Sequence, residues 1–330
     1  MIDVKDLVKD YGSFRAVDGV SFSVASGEIV GLLGPNGAGK TTIMKVLTGY
    51  HYQSAGSAIL NGVDVSQEPI LAKRSVGYLP ETAPLYTDMT VYEYLDFIAK
   101  SRGLQGSEKN EAITKTVNDC GLQDVVNKTI DTLSKGYRQR VGLAQAIIHS
   151  PEILILDEPT TGLDPNQIIE IRSLIKKIGQ QKTVILSTHI MQEVEAVCDR
   201  VIIINNGKIA AEGTTSQISK ELSGTTNVID VTFKNSKEVF TQSSINDICS
   251  KLSNYCKAKE ILVTNSEDNL LSLSLKIDNN ENGAETVFDF AIENSIKIVS
   301  LASKQLNLEE IFIKLTSIDG EEASKLGGDK

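Results

Sequence analysis

Residues 34–41 read Gly-Pro-Asn-Gly-Ala-Gly-Lys-Thr, between an apolar run (Ile29, Val30, Leu32, Leu33) and a helix-like stretch (Ile43, Met44, Val46, Leu47). A strand that breaks into a glycine-rich turn and resumes as a helix is the context a phosphate-binding loop requires. Gly37 and Gly39 have no Cβ, so backbone N–H groups can close on a phosphate chain without a clash. The start of the following helix adds unpaired donors and a partial positive charge. Gly34, Pro35, Asn36 and Ala38 complete the turn; Lys40 is spaced to reach β- and γ-phosphates and the Thr41 hydroxyl to ligate Mg²⁺, with Thr42 next to it among the nucleotide-binding residues. The stretch predicts a nucleoside triphosphate site.

A length of 330 residues favours two domains over one, with ample sequence for a buried core. The formal net charge of −10 argues against a nucleic-acid platform, which normally presents a basic face. It leaves docking to a membrane protein open, because there a local patch matters more than the total. No apolar run approaches the roughly 20 residues of a bilayer span, and the N-terminal stretch MIDVKDLVKDYG lacks a signal-peptide core. Cys120, Cys198, Cys249 and Cys256 show no C-x-x-C spacing, which favours reduced thiols in a cytosolic protein over a zinc cage or a disulfide framework.

Along the chain, Ile2-Asp3-Val4 and Val20-Ser21-Phe22-Ser23-Val24 read as short strands, with Tyr11 in the loop between them. An exposed ring there can stack on a base, although most loop tyrosines simply pack. Asn61-Gly62 marks a turn after the strand-like 57–60. Between residues 90 and 135 the texture becomes helical: Thr90 and Glu93 form a capping box, Ser107 can cap a second helix, and Gly121 can stop it. Ile153-Leu154-Ile155-Leu156, Val184-Ile185-Leu186 and Val201-Ile202-Ile203-Ile204 suit strands buried on both faces of a parallel sheet. Asp164 caps, and Pro165 begins, a helix with an Ile168, Ile171, Ile175, Ile178 stripe. The expected fold is α/β, mostly parallel, with a helical insertion over about 83–135. Around residue 216 the composition turns to Ser, Thr, Asn and Lys, and the order strand, helix, strand, strand, helix, strand fits a small ferredoxin-like α+β unit. The division expected is therefore 1–215 and 216–330, with residues from Asp319 onward frayed.

Phosphate-binding loops serve many enzymes, so other residues must discriminate. Asp157-Glu158 closes an apolar strand, and two carboxylates are costly there without a cation. Asp157 can hold Mg²⁺, and Glu158 is placed to orient or deprotonate an attacking water. Leu133-Ser134-Lys135-Gly136-Tyr137 precedes a helix; its hydroxyl and N–H groups can read a second phosphate, although Ser-x-Gly also serves as an ordinary cap.

Taken together, these motifs resemble the ATP-binding-cassette (ABC) transporter ATPases over residues 2–215, in the family's order and approximate spacing. The resemblance implies that Tyr11 stacks on adenine and that 34–41 is the Walker A loop. By the same matching, Glu81 falls at the Q-loop position, where it can ligate Mg²⁺, and 133–137 is the signature. Asp157 and catalytic Glu158 end Walker B, Asp164 lies in the D-loop, and His189 is the switch histidine. The family's cofactors are ATP and Mg²⁺. Two cassettes, identical or paralogous, pair head-to-tail so that Ser134, Lys135 and Gly136 of one face the nucleotide of the other. Two departures stand out: Lys135 where glycine is usual, and Glu81 in place of a neutral glutamine. LSKGY and GYLPE resemble the ABC-2 branch, its gliding-motility and drug-export ATPases, as does Leu308-Glu309-Glu310-Ile311-Phe312 after an α+β appendage. This implies an ATP-hydrolysing subunit on the cytoplasmic face of the membrane, touching an ABC-2 permease through loop 80–87 and the helical insertion, with no nucleic-acid partner. A DNA-repair or translation ATPase would favour long coiled coils or duplicated cassettes. A non-hydrolysing regulator is opposed by the presence of Asp157, Glu158 and His189.

Overall fold

The computed structural model describes residues 1–223, 226–235, 240–267, 269–278, 283–304 and 308–317. By backbone contacts the chain divides into two compact units, Met1–Thr215 with Phe312–Lys330, and Ser216–Ile311. The frayed tail expected from Asp319 lies outside the described residues.

The first unit opens with an antiparallel hairpin, β1 (Ile2–Tyr11) and β2 (Phe14–Val24), followed by β3 (Ile29–Leu33) and α1 (Lys40–Leu47). After β4 (Ala55–Leu60) and β5 (Val63–Asp64) come α2 (Pro69–Arg74) and β6 (Val76–Leu79). The helical insertion supplies α3 (Val91–Ser101) and α4 (Gly106–Cys120). The chain then runs through α5 (Lys135–Ile147), β7 (Ile153–Asp157), α6 (Pro165–Gly179), β8 (Thr183–Thr188), α7 (Met191–Val197), β9 (Arg200–Asn205) and β10 (Lys208–Gly213). The hairpin is longer than the sequence suggests. Asp6 takes a positive φ of 46° and breaks the alternation, but the ladder resumes beyond this bulge, so Tyr11 ends β1 opposite Phe14 instead of sitting in a loop. Asn61 and Gly62 turn β4 into β5 with positive φ at both positions, as a two-residue hairpin demands.

Six strands form the central sheet in the order β10-β9-β3-β8-β7-β6, parallel except for β10. Successive side chains of one strand enter opposite cores. Leu154 and Leu156 join α3, α4, α5 and α6, whereas Ile153 and Ile155 join α1 and the antiparallel sheet β2-β1-β4-β5. Each fully buried Leu or Ile contributes roughly 1.5–3 kcal/mol, so this two-sided burial is what fixes the strand ends that carry the polar residues described below. The Thr90–Glu93 capping box forms as expected, and Gly121 ends α4 in the left-handed conformation. Ser107 does not cap: α4 starts at Gly106, two residues earlier than that cap would place it, with Gln105 in the N-cap position.

The second unit begins with α8 (Thr215–Ser223) at the boundary and continues β11 (Thr226–Lys234), α9 (Gln242–Cys256), β12 (Glu260–Glu267), β13 (Leu270–Asp278), α10 (Gly283–Glu293) and β14 (Lys297–Lys304). The last described helix, α11 (Leu308–Ser317), starts in this unit, but its residues from Phe312 group with the first. Its sheet order β12-β13-β11-β14, antiparallel throughout, is that of a ferredoxin-like unit. Alternate residues Ile229, Val231, Phe233 and Leu271, Leu273, Leu275 face α9 and α10 in one core. No helix among the described residues is long and apolar enough to cross a membrane.

His149, just past α5, ties that helix to the sheet. Its Nε2 lies 3.1 Å from the Val76 carbonyl, which can only accept, so this nitrogen carries the hydrogen and buried Nδ1 has no partner. Burial, reinforced by Arg102 and Lys182, brings its pKa down to about 4. The folded chain therefore resists protonation that the unfolded chain accepts near pH 6.5. Stability should fall as pH drops from about 6.5 towards 4 and be unaffected by this group above 6.5. With partial exposure discounted, the loss between pH 7 and 5 is on the order of 1 kcal/mol. Urea titrations at the two pH values should show that share of the slope disappearing in His149→Gln, whose amide can still donate to Val76.

Candidate active site

The parallel strands β3, β7 and β8 are neighbours, so their carboxyl ends meet at one edge of the sheet. From β3 the chain enters the 34–39 turn, and Gly39 caps α1 with φ 110°. A Cβ there would sit 2.7 Å from the Ala16 carbonyl oxygen, so both conformation and space require glycine. The unpaired N–H groups of the first turn of α1 form a ready anion cradle.

Lys40 is only 5% exposed. Its ammonium donates to the carbonyls of Gly34 (2.7 Å) and Pro35 (3.2 Å) and lies 3.4 Å from Glu158 Oε1. Glu158, directly after β7, is 7% exposed and adopts a positive φ of 47°, a strained conformation for a side chain with a Cβ. Its N–H donates to Ser187 Oγ at 3.0 Å, and its other carboxylate oxygen meets His189 Nδ1 at 2.9 Å and the Thr161 hydroxyl at 3.3 Å. One carboxylate thus spans a buried cation and a half-exposed imidazole.

Asp157, 1% exposed, has no cationic side chain paired with it among the described residues. Oδ1 accepts from Ser187 Oγ at 2.5 Å and Thr41 Oγ1 at 3.2 Å. Burial pushes its pKa up; the two hydroxyls pull it down, and the charges of Glu158 and Glu81 push it up again. A hard divalent cation would relieve this crowding, and hydroxyl plus carboxylate oxygens are the donors it prefers. No group of three or more His, Cys, Asp or Glu suited to a metal exists among the described residues. The shell available is therefore a partial one, which fits Mg²⁺: it commonly takes one or two carboxylates and completes its six ligands with phosphate and water.

Above these groups lies a cleft of about 470 Å³. Of the residues singled out from sequence, Tyr11, Asn36, Gly37, Gly39, Lys40, Thr41, Thr42, Glu81, Glu158 and His189 line it. Gly34, Pro35 and Ala38 belong to the same turn, and Asp157 sits behind Thr41. Tyr11 stands at the rim, 42% exposed, edge-on to His51 at 5.7 Å and under the Lys9 ammonium at 5.1 Å. Ser134, Lys135, Gly136 and Asp164 do not line the cleft. Ser134 caps α5 by accepting from Tyr137 N, and Asp164 caps α6 by accepting from Gln167 N at 2.9 Å. Lys135 is exposed, and its ammonium lies over Gly162, where a Cβ would collide with it.

Phe14, Thr161, Ser187 and Glu193 also belong to the site or its supports, beyond the residues that the motifs single out. Phe14, 63% exposed, faces Tyr11 across the hairpin and lines the cleft; the Gly12 turn was the available signal. Ser187 and Glu193 become visible only when β8 and α7 are brought beside the end of β7. Chemically, the cleft combines a cation and N–H cradle for phosphates, a hydroxyl–carboxylate pair for a hard cation, and a carboxylate–imidazole pair able to orient water.

Comparison with known proteins agrees with this arrangement. The ABC transporter family model matches residues 17–161. The linearmycin resistance ATP-binding protein LnrL of Bacillus subtilis (strain 168) is 32% identical over 96% of this chain and 98% of its own length. The Nod factor export ATP-binding protein I of Rhizobium meliloti is 32% identical over 96% of this chain and 88% of its own. A solved ATP-binding subunit of an ABC transporter superposes with a TM-score of 0.62 at 32% identity, covering 68% of this chain and 93% of that one. The chain belongs to the ATP-binding subunits of ABC transporters, an ATPase family with the P-loop cassette fold.

Proposed function

We propose that this chain hydrolyses Mg-ATP to drive an ABC-2 type exporter, working on the cytoplasmic face of the membrane as one of two head-to-tail cassettes. The observation that carries the reading is the contact of Glu158 with both Lys40 and His189, beside the Thr41–Asp157 pair, at adjoining strand ends. Relatives named for linearmycin resistance and Nod factor export align over almost the whole chain, which supports export. The LSKGY and GYLPE motifs support the ABC-2 branch.

In this reading Tyr11 stacks on adenine and the 34–39 turn cradles the phosphates. Lys40 gives up the Gly34 and Pro35 carbonyls for the β- and γ-phosphates, which frees Glu158 to orient and polarise the attacking water. His189 contacts the γ-phosphate and holds Glu158 in place. Thr41, Asp157 and Glu81 would hold Mg²⁺, which when bound neutralises phosphate charge. Ser134, Lys135 and Gly136 face the nucleotide of the second cassette, and Asp164 links the two sites; their position outside the cleft of their own chain is consistent with that. Loop 80–87 and the helical insertion contact the permease. Tyr86, Tyr92 and Phe97 offer an exposed aromatic surface for this, with Tyr86 and Phe97 5.4 Å apart. The accessory domain expected over 216–330 is narrowed to Ser216–Ile311, since Phe312 onward groups with the first unit, and it carries none of the nucleotide-site residues.

Two substitutions test the reading. Glu158→Gln should keep ATP binding, lower turnover by about 10²–10⁴-fold and accumulate an ATP-bound dimer; hydrolysis at near the parent rate would overturn the assignment. Lys135→Gly, made in that non-hydrolysing background, should leave monomer affinity for ATP unchanged. If Lys135 reaches across to phosphate, a charge-assisted contact of about 1.5–3 kcal/mol is lost, and ATP-driven dimerisation weakens roughly tenfold or more. Equal dimer fractions against ATP concentration would leave Lys135 as a solvated neighbour of Gly162.

A further inference from the structure

Glu193, on α7, is a carboxylate 2% exposed that does not line the cleft. Thr188 Oγ1 donates to Oε2 at 2.6 Å, and Thr160 Oγ1 donates to Oε1. Arg172 of α6 lies 3.7 Å from Oε1. Both threonines are themselves buried, at 3% exposure for Thr160 and 0% for Thr188. Thr188 also accepts from Ile190 N at 3.0 Å, which closes the chain around His189.

These partners belong to the segments that carry the cleft's chemistry. Thr188 immediately precedes His189, and Thr160 follows Glu158 by two residues in a tight turn closed by Thr161 N to the Glu158 carbonyl and Leu163 N to the Thr160 carbonyl. Arg172 belongs to the helix that Asp164 caps. A single carboxylate therefore clamps the end of β8, the turn after β7 and the helix that follows it. Two hydroxyl donors, one to each oxygen, suit a carboxylate, which has acceptor sites on both and no hydrogen to misplace. The contact between His189 Nδ1 and Glu158 Oε2 depends on the backbones of those segments staying in register.

We propose that Glu193 is a positioning residue that sets the Glu158–His189 geometry and so governs turnover without touching nucleotide. The proposal rests on the reading that hydrolysis occurs at Glu158. In the full chain, Glu193→Ala should lower kcat by about ten- to a hundredfold, the scale of a small misplacement of catalytic groups, while KM for ATP stays within about twofold. Glu193→Gln, which keeps one acceptor oxygen, should recover part of the loss. Thr160→Val with Thr188→Val removes the same clamp from the other side and should lower kcat similarly, with little further loss when Glu193→Ala is added. If Glu193→Ala does not fold, the two threonine variants carry the test alone. Unchanged kcat in folded variants, losses that multiply in full, or a loss shared equally by kcat and binding would overturn the proposal. Glu158→Gln measured in parallel separates the two readings: if it hydrolyses ATP at the parent rate, the assignment of Glu158 fails, whatever Glu193 does.

Discussion

A buried cation is held between carbonyl oxygens and a carboxylate at the end of a parallel sheet, and the surrounding structure serves to keep it there. Taking the Lys40 and Glu158 charges out of water costs several kcal/mol each, and Asp157 and Glu193 lie equally deep nearby. Such a cluster persists only if every member finds partners and if the strands that carry it cannot shift. The partners are the Gly34 and Pro35 carbonyls, the hydroxyls of Thr41, Thr160, Ser187 and Thr188, and the His189 ring. The rigidity comes from burial of β3, β7 and β8 on both faces.

That arrangement also explains the direction of change expected when nucleotide arrives. Lys40 and Glu158 neutralise one another at 3.4 Å, but a triphosphate offers Lys40 a stronger and more numerous set of oxygens. The Glu158 carboxylate then keeps His189 and Thr161 as partners, and the surrounding contacts hold its backbone in the unfavourable φ of 47°. The strain is stored where the backbone N–H is anchored to Ser187 Oγ, so the same serine holds Asp157 and Glu158 at once.

Much of this was legible in the sequence because it is written in local patterns. The glycine spacing of 34–41, the Asp-Glu pair after an apolar run and the Asp164-Pro165 cap each specify geometry over a few residues, and the ferredoxin-like unit follows from its strand alternation. What escaped depends on contacts far apart in the chain. Ser187 meets Asp157 across 30 residues, and Thr160 meets Glu193 across 33. Glu193 read on its own is one more acidic residue near a helix start. The sequence puts Tyr11 in a loop, whereas the structure carries β1 through a bulge at Asp6 as far as Tyr11, and a bulge cannot be distinguished from a strand end without the partner strand.

The most direct test is the structure of the assembled transporter with Mg²⁺ and a non-hydrolysable ATP analogue. Lys40 Nζ is expected on the β- and γ-phosphates, away from Glu158 and the Gly34 and Pro35 carbonyls, with Glu158 still against His189 and a signature serine of the facing cassette on the γ-phosphate. Lys40 still paired with Glu158 while nucleotide is bound, with Ser134 turned to solvent, would contradict that expectation.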